Sequence, residues 1–176
     1  MELIECINKR RSIRKYKDIS IQNETIVKLI ESAQKAPSWK NSQVSRYYAI
    51  NSNKKKDFIN FLPEFNQNNT INAGAYIVST VVYGRSGFDR DGNYTSHLKD
   101  GFQYFDNGLQ VENLCLAAHD MGLGTLIMGL YDEAKIREYL QIPENEVIVC
   151  VISVGVPDIN PAMPQRKNVE DILKFY

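Results

Sequence analysis

Two runs, AYIVSTVVYG at 75–84 and EVIVCVISVG at 146–155, constrain the fold of this chain more than any other feature. Both are mainly apolar, rich in β-branched residues, and carry apolar side chains at adjacent positions, so each predicts a central strand buried on both faces. The segment from about Asp100 to Met121 predicts a long helix. Leu109, Val111, Leu114, Cys115, Ala117 and Ala118 make it apolar over much of its circumference, and such a helix belongs in the middle of a domain. Gly122 is placed to stop it in the left-handed conformation, and Gly124 to let the chain turn into the strand TLIMGL.

The rest of the chain reads around this frame. Leu3, Ile4 and Ile7 predict a short amphipathic helix over 2–9. Ser20 is the expected cap of a second helix, striped by Ile26, Val27, Leu29, Ile30 and Ala33 and ended by Pro37; both helices are expected to be half buried. PSWKNSQVS reads as a turn-rich connection, RYYAIN as a strand, and NKKKDFINFL as an exposed helix with a solvated lysine run. FNQNNTIN is polar enough for a loop, GRSGFDRDGNYTSH reads as a mobile surface loop, and DEAKIREYL as a helix capped by Asp132. Pro157, Pro161 and Pro164, half of the 6 prolines, predict an extended tail whose Val169, Ile172, Leu173 and Phe175 need a surface to dock on. There is no repeat and no linker, so one α+β domain over residues 1–176 is expected around one sheet.

Composition removes several functions. Lys plus Arg equals Asp plus Glu at 21 each, so no global field exists to hold nucleic acid or an acidic membrane, and any anion site is local. With 43% hydrophobic and 24% charged residues the chain is neither disordered nor fibrous. Cys6, Cys115 and Cys150 sit among apolar neighbours without metal-ligand or redox spacing, which points to reduced core thiols and a cytoplasmic protein. No apolar stretch approaches the roughly 18 residues of a membrane span, and the N-terminus does not read as a signal peptide.

The chemistry that is left is small. His97 and His119 are the only histidines, and neither stands beside a metal-ligand set or a nucleophile; His119 reads as a polar rim residue or a helix-end cation. No nucleophile elbow, P-loop or dinucleotide fingerprint lies where a strand meets a helix, so an enzyme of this sequence would use a bound cofactor. In NKRRSIRKY, the guanidinium forks of Arg10, Arg11 and Arg14 with the Ser12 hydroxyl suit a phosphate, because several charge-assisted hydrogen bonds can converge on one group. A solvated basic turn is the rival reading, and on that stretch alone the stronger one. A second basic pair, Arg166 and Lys167, makes a shared phosphate site more plausible.

RRSIRKY after a short helix, APSWKNSQ after a second helix, NLCLAAHDMGLGT, and a VGVP turn leading to QRK occur in the order and spacing of the nitroreductase family of flavin enzymes, which the chain resembles over nearly its whole length. The resemblance implies an α+β homodimer with a central, mainly antiparallel sheet flanked by helices, FMN at the subunit interface, and an extended C-terminal arm that embraces the partner. It implies that Arg10, Ser12 and Arg166 hold the FMN phosphate with help from Lys167, that Arg14 lies near the ribityl chain or the N1/O2 edge of the ring, and that Arg11 contacts phosphate or pairs on the surface.

Pro37, Ser38 and Trp39 would run along the flavin from the other subunit, with Asn41 or Gln43 fixing that loop or touching the ribityl chain. Read without the family, Asn41 is a turn residue and Trp39 an interface anchor. Asn66 would bond the pyrimidine edge, and the backbone around Met128 and Gly129 would approach N5 and O4; on their own these two are a core residue and a bend. Asp106 is expected to support the long helix. A lysine that some members carry two residues before the tail arginine is Pro164 here, and one near the pyrimidine ring in longer members falls on Asn69, which leaves Arg14 as the charge there. The activity implied is hydride transfer from NAD(P)H through FMN to a small-molecule acceptor such as a nitroaromatic or quinone, by a ping-pong mechanism. A flavin-storing or redox-sensing protein without turnover is the alternative.

Overall fold

In the computed structural model, which describes residues 2–176, strands Ser45–Ile50 (β1), Ala75–Val82 (β2), Gly124–Met128 (β3) and Glu146–Gly155 (β4) form one sheet in the order β1-β2-β4-β3. Every pairing is antiparallel. The two apolar runs are therefore the two inner strands, as their composition predicts. Tyr76 and Val78 point to one side with Ile148 and Val151, and Ala75 and Ile77 to the other with Cys150, Ile152 and Val154. The register jumps from Ser79↔Cys150 to Thr80↔Ile148, so Val149 is the extra residue of a bulge.

Seven helices complete the described residues: Leu3–Lys9 (α1), Asn23–Ala33 (α2), Lys55–Phe58 (α3), Glu64–Thr70 (α4), Gly101–Asp120 (α5), Glu133–Leu140 (α6) and Val169–Ile172 (α7). α2 and α5 cover one face of the sheet through Ile26, Leu29, Ala33, Val111, Leu114 and Ala118. α3 and α6 cover the other through Phe58 and Ile136, together with Leu62 and Ile142. Asp132 caps α6 by accepting from the Lys135 N–H at 3.2 Å, and Gly122 ends α5 with φ +74, both as expected. No helix among these residues is long and apolar enough to cross a membrane.

Several local expectations are corrected. Ser20 is not a cap: burial of Ile21 keeps the chain extended two residues longer, and Gln22 occupies the N-cap position without a side-chain bond. α2 closes at Ala33, ahead of Pro37. The lysine-rich stretch is a single α turn followed by a 3-10 turn at Ile59–Phe61, and it is pinned by a wholly buried Phe58. The polar stretch expected as a loop is α4. Its Thr70 hydroxyl returns to the Asn66 carbonyl at 2.7 Å and pairs with the Tyr76 hydroxyl at 3.0 Å, so a helix without an apolar period is tied to β2 by buried polar contacts. α1 is not half buried: Leu3, Ile4 and Ile7 are 65%, 67% and 49% exposed, and only Cys6 faces the core.

Candidate functional site

The arginine segment is placed by the residues between the arginines. Ile13 and Tyr16 are buried, while Arg10, Arg11 and Ser12 are half-buried and Arg14 is exposed. Ser12 bridges to Thr125 in parallel with β3, the Ile13 N–H donates to the Thr125 carbonyl at 2.9 Å, and Tyr16 bridges to Pro157. The Tyr16 hydroxyl bonds the Ile13 carbonyl and Ser153 Oγ, each at 2.9 Å; burial pushes its pKa up, so it stays a neutral clasp. Gly124 is what lets the segment lie against the sheet: a Cβ there would stand 2.4 Å from Ile13 Cγ1. Its role is close packing, not the turn expected of it.

Arg10, Arg11, Ser12 and Arg14 then line one cleft with Pro161, Pro164 and Arg166. Arg11 Nη1 donates to the Arg10 carbonyl at 2.7 Å, while its Nε is buried with no hydrogen-bond partner among the described residues. Arg10 Nε meets the half-exposed Glu112 at 3.3 Å. Lys167 lies beside Arg166 in the adjoining hollow and not in this cleft. Arg14 also lines a second hollow with Asn66, Asn69, Met128 and Gly129, walled by Phe65 and Leu126. Asn66 and Met128 are buried, and a Cβ on Gly129 would meet nothing within 4 Å. Met128 thus gives its side chain to the core and its backbone to the hollow.

Pro37, Ser38, Trp39, Asn41 and Gln43 line neither hollow within the chain. They form a turn around Trp39–Asn41 on the flank of α5. Lys40, Asn41 and Gln43 take the left-handed conformation, at φ 47, 55 and 49. The Gln43 N–H donates to Ser38 Oγ at 3.1 Å, and the Trp39 N–H donates to Asp106 Oδ2 at 2.9 Å. The Trp39 ring packs edge-on against Phe102, centroids 4.5 Å apart.

The structure adds residues that the sequence pattern does not bring forward. The buried face in the first half of α5 is polar, with Gln103, Asp106, Asn107 and Gln110 inside, where an apolar stripe is expected. Asp106 holds a loop instead of bracing its own helix. The signal in the sequence is two weak helix formers, Asp106 and Asn107, side by side in a helix interior. His119, in the last turn of α5, sits by Lys9, Arg10, Arg11 and Cys115. Burial first, then the positive charge of Arg10, Arg11 and Lys9, lowers its pKa, so it is a neutral imidazole and not a helix-end cation. All three cysteines are free and buried, and burial raises the thiols of Cys115 and Cys150 to about 11 and about 12.

Comparison with known proteins matches this arrangement. The model of the nitroreductase family fits residues 7–156. An NADPH-flavin oxidoreductase of Vibrio harveyi is 30% identical over 170 residues, covering 93% of this chain and 69% of its own length. A nitroreductase family protein from Clostridium novyi NT superposes with a TM-score of 0.76 at 30% identity, over 90% of this chain and 86% of that one. A protein of Exiguobacterium sibiricum 255-15, solved in complex with FMN, shares the fold with a TM-score of 0.86 at 23% identity, over 100% of this chain and 98% of its own. On the strength of the family match and these likenesses, the chain belongs to the nitroreductase family.

Proposed function

We propose that the chain is an FMN-dependent oxidoreductase that transfers hydride from NAD(P)H to a small acceptor such as a nitroaromatic or quinone. It works as one domain over residues 1–176, in the cytoplasm, as a homodimer. The observation that carries this is the cleft itself. In a chain of zero net charge, Arg10, Arg11, Ser12, Arg14 and Arg166 line one cleft, and the buried Nε of Arg11 has no partner among the described residues. That donor set fits a phosphate dianion. The cleft continues past Arg14 into a hollow with one buried amide, Asn66, and an apolar wall, which suits a ring system with a polar edge. The names of the relatives support the reading: one is an NADPH-flavin oxidoreductase, and another fold neighbour is an FMN complex.

Bound FMN would supply the redox chemistry, accepting a hydride from the nicotinamide and returning it to the acceptor. The chain's own residues bind and orient. Arg10, Arg11, Ser12 and Arg166, with Lys167 at the margin, hold the phosphate. Arg14 places a fixed positive charge between phosphate and ring, which favours the more negative reduced form. Asn66 offers an amide to the ring edge, and the backbone at Met128 and Gly129 offers an unobstructed approach. Pro37, Ser38, Trp39, Asn41 and Gln43 lie away from this cleft within one chain, as required of a loop that serves the partner's flavin. The exposed apolar face of α1 and the exposed Val169, Ile172, Leu173 and Phe175 provide the surfaces such a dimer would bury.

Donor and acceptor taking turns at one face gives parallel lines in double-reciprocal plots. The test is twofold. Purified protein should absorb at about 450 nm or acquire that band with added FMN, and should oxidise NAD(P)H in the presence of menadione or nitrofurazone. Protein that takes up no FMN would overturn the reading, and yellow protein without turnover would favour flavin storage.

A further inference from the structure

Asp106 is wholly buried, and one of its oxygens, Oδ2, collects donors from two loops distant in sequence. The Trp39 N–H reaches it at 2.9 Å, the Ser86 hydroxyl at 2.5 Å, and the Ser42 hydroxyl at 3.5 Å. One turn earlier on α5, Phe102 carries the Trp39 ring. One residue later, Asn107 Nδ2 donates to Ser45 Oγ at 2.9 Å and to Ser79 Oγ at 2.8 Å, which fixes β1 where the Trp39 loop runs into it. Tyr47 OH then reaches Gln110 Oε1 at 3.0 Å. A single face of α5 thus grips the 37–43 loop at its turn and at its exit.

The grip explains the loop's backbone. Lys40, Asn41 and Gln43 keep positive φ without being glycine, a state that persists only where the surroundings over-determine it and that clusters at functional positions. Nothing in the core needs that strain: Lys40 and Gln43 are exposed and Asn41 is at the surface turn. The strain is accounted for if the loop's shape matters to something outside its own fold.

We propose that Asp106 is a positioning residue that sets where Ser38, Trp39 and Gln43 meet the flavin, and that ties this loop to the turn at Ser86 and Gly87. The proposal rests on the reading that the 37–43 loop serves an FMN site. Asp106 touches neither cofactor nor substrate; it acts through the Trp39 backbone. Replacing it with asparagine keeps its size but leaves a weaker, neutral acceptor for three donors.

Trp39 is the only tryptophan, so its fluorescence reads the loop directly. In Asp106→Asn the emission of the flavin-free protein should shift to the red, quenching of Trp39 on FMN addition should weaken, and the FMN Kd should rise tenfold or more. Ser86→Ala, which removes one buried donor and leaves the carboxylate, should move all three readouts in the same direction by less. If Asp106→Asn does not fold, Ser86→Ala and Ser42→Ala, each removing a hydroxyl donor to Asp106 Oδ2, carry the test. Folded variants, by circular dichroism, with wild-type emission and wild-type quenching would overturn the proposal while FMN binding by the wild type still stands. Wild-type protein that binds no FMN would overturn the functional reading instead, and the flavin-free emission would still report whether Asp106 holds the loop.

Discussion

Gly124→Ala tests whether the arginine cleft is placed by packing. An alanine Cβ at 124 would lie 2.4 Å from Ile13 Cγ1, 2.8 Å from Ile13 Cβ and 3.1 Å from Cγ2. Carbon atoms rest at about 3.5–4.0 Å, so the closest contact falls short by roughly 1 Å or more. Ile13 cannot turn away. It is β-branched, so Cγ1 and Cγ2 both crowd the site, and its Cβ moves only with the backbone.

The strain must therefore lift residues 12–14 off β3, against the Ile13 N–H to Thr125 carbonyl bond of 2.9 Å. Overpacking of this kind costs about 1–3 kcal/mol, which in a chain of this size lowers Tm by roughly 2–12 °C. Displacing Ser12 from the phosphate, or Arg14 from its place beside the ring, forfeits about one charge-assisted bond, about 1.5–3 kcal/mol, or roughly 10- to 150-fold in the FMN Kd. Thermal melts of flavin-free protein and FMN fluorescence titration measure the two effects separately. The double variant Ile13→Ala/Gly124→Ala removes the Cγ1 and Cγ2 contacts but keeps the 2.8 Å contact of Ile13 Cβ, so its FMN affinity should recover only in part, and the cavity at 13 keeps it less stable. Gly124→Ala with unchanged Tm and unchanged Kd would refute the reasoning.

Arg10→Ala and Arg166→Ala should each weaken FMN by about 1.5–3 kcal/mol in the same titration, and wild-type affinity in both would misplace the phosphate. His119 has a folded pKa below its ordinary value, through burial and the nearby Arg10, Arg11 and Lys9, with Asp120 opposing. The unfolded chain takes up this proton at about pH 6.5 and the folded one only at lower pH, so stability should fall as pH drops through about 6.5. Melts at about pH 7.5 and about pH 5.5 should differ less in His119→Gln than in wild type. Ile4→Asp with Ile7→Asp places charge on the exposed face of α1; sedimentation should show wild-type dimer and a monomeric variant that has lost FMN affinity, and an unchanged dimer would put the interface elsewhere.

Much of the fold was legible because hydrophobic period is a local property of the chain. The β-branched runs at 75–84 and 146–155 had to be inner strands. The length and apolar content of the segment from about Asp100 to Met121 had to give a central helix, and Asp132 and Gly122 marked helix ends by their own chemistry. The spacing of Arg10, Ser12 and Arg14 likewise proposed an anion before any partner was known. α4 was not legible, because it carries no apolar stripe and meets the core through buried polar contacts of Thr70 with Tyr76.

What only the tertiary structure decided is which distant residues meet. It brought Arg166 to Arg10, Arg11 and Ser12 across more than 150 positions, and let Arg14 join that cleft to Asn66 and Met128. It kept Pro37, Ser38, Trp39, Asn41 and Gln43 apart from both, and turned Gly124 from a presumed bend into a seat for Ile13. It made Asp106 the anchor of a loop more than 60 residues upstream. Close approach and buried hydrogen bonds join residues whose sequence separation carries no period, so the sequence alone names the groups and the packed chain assigns their partners.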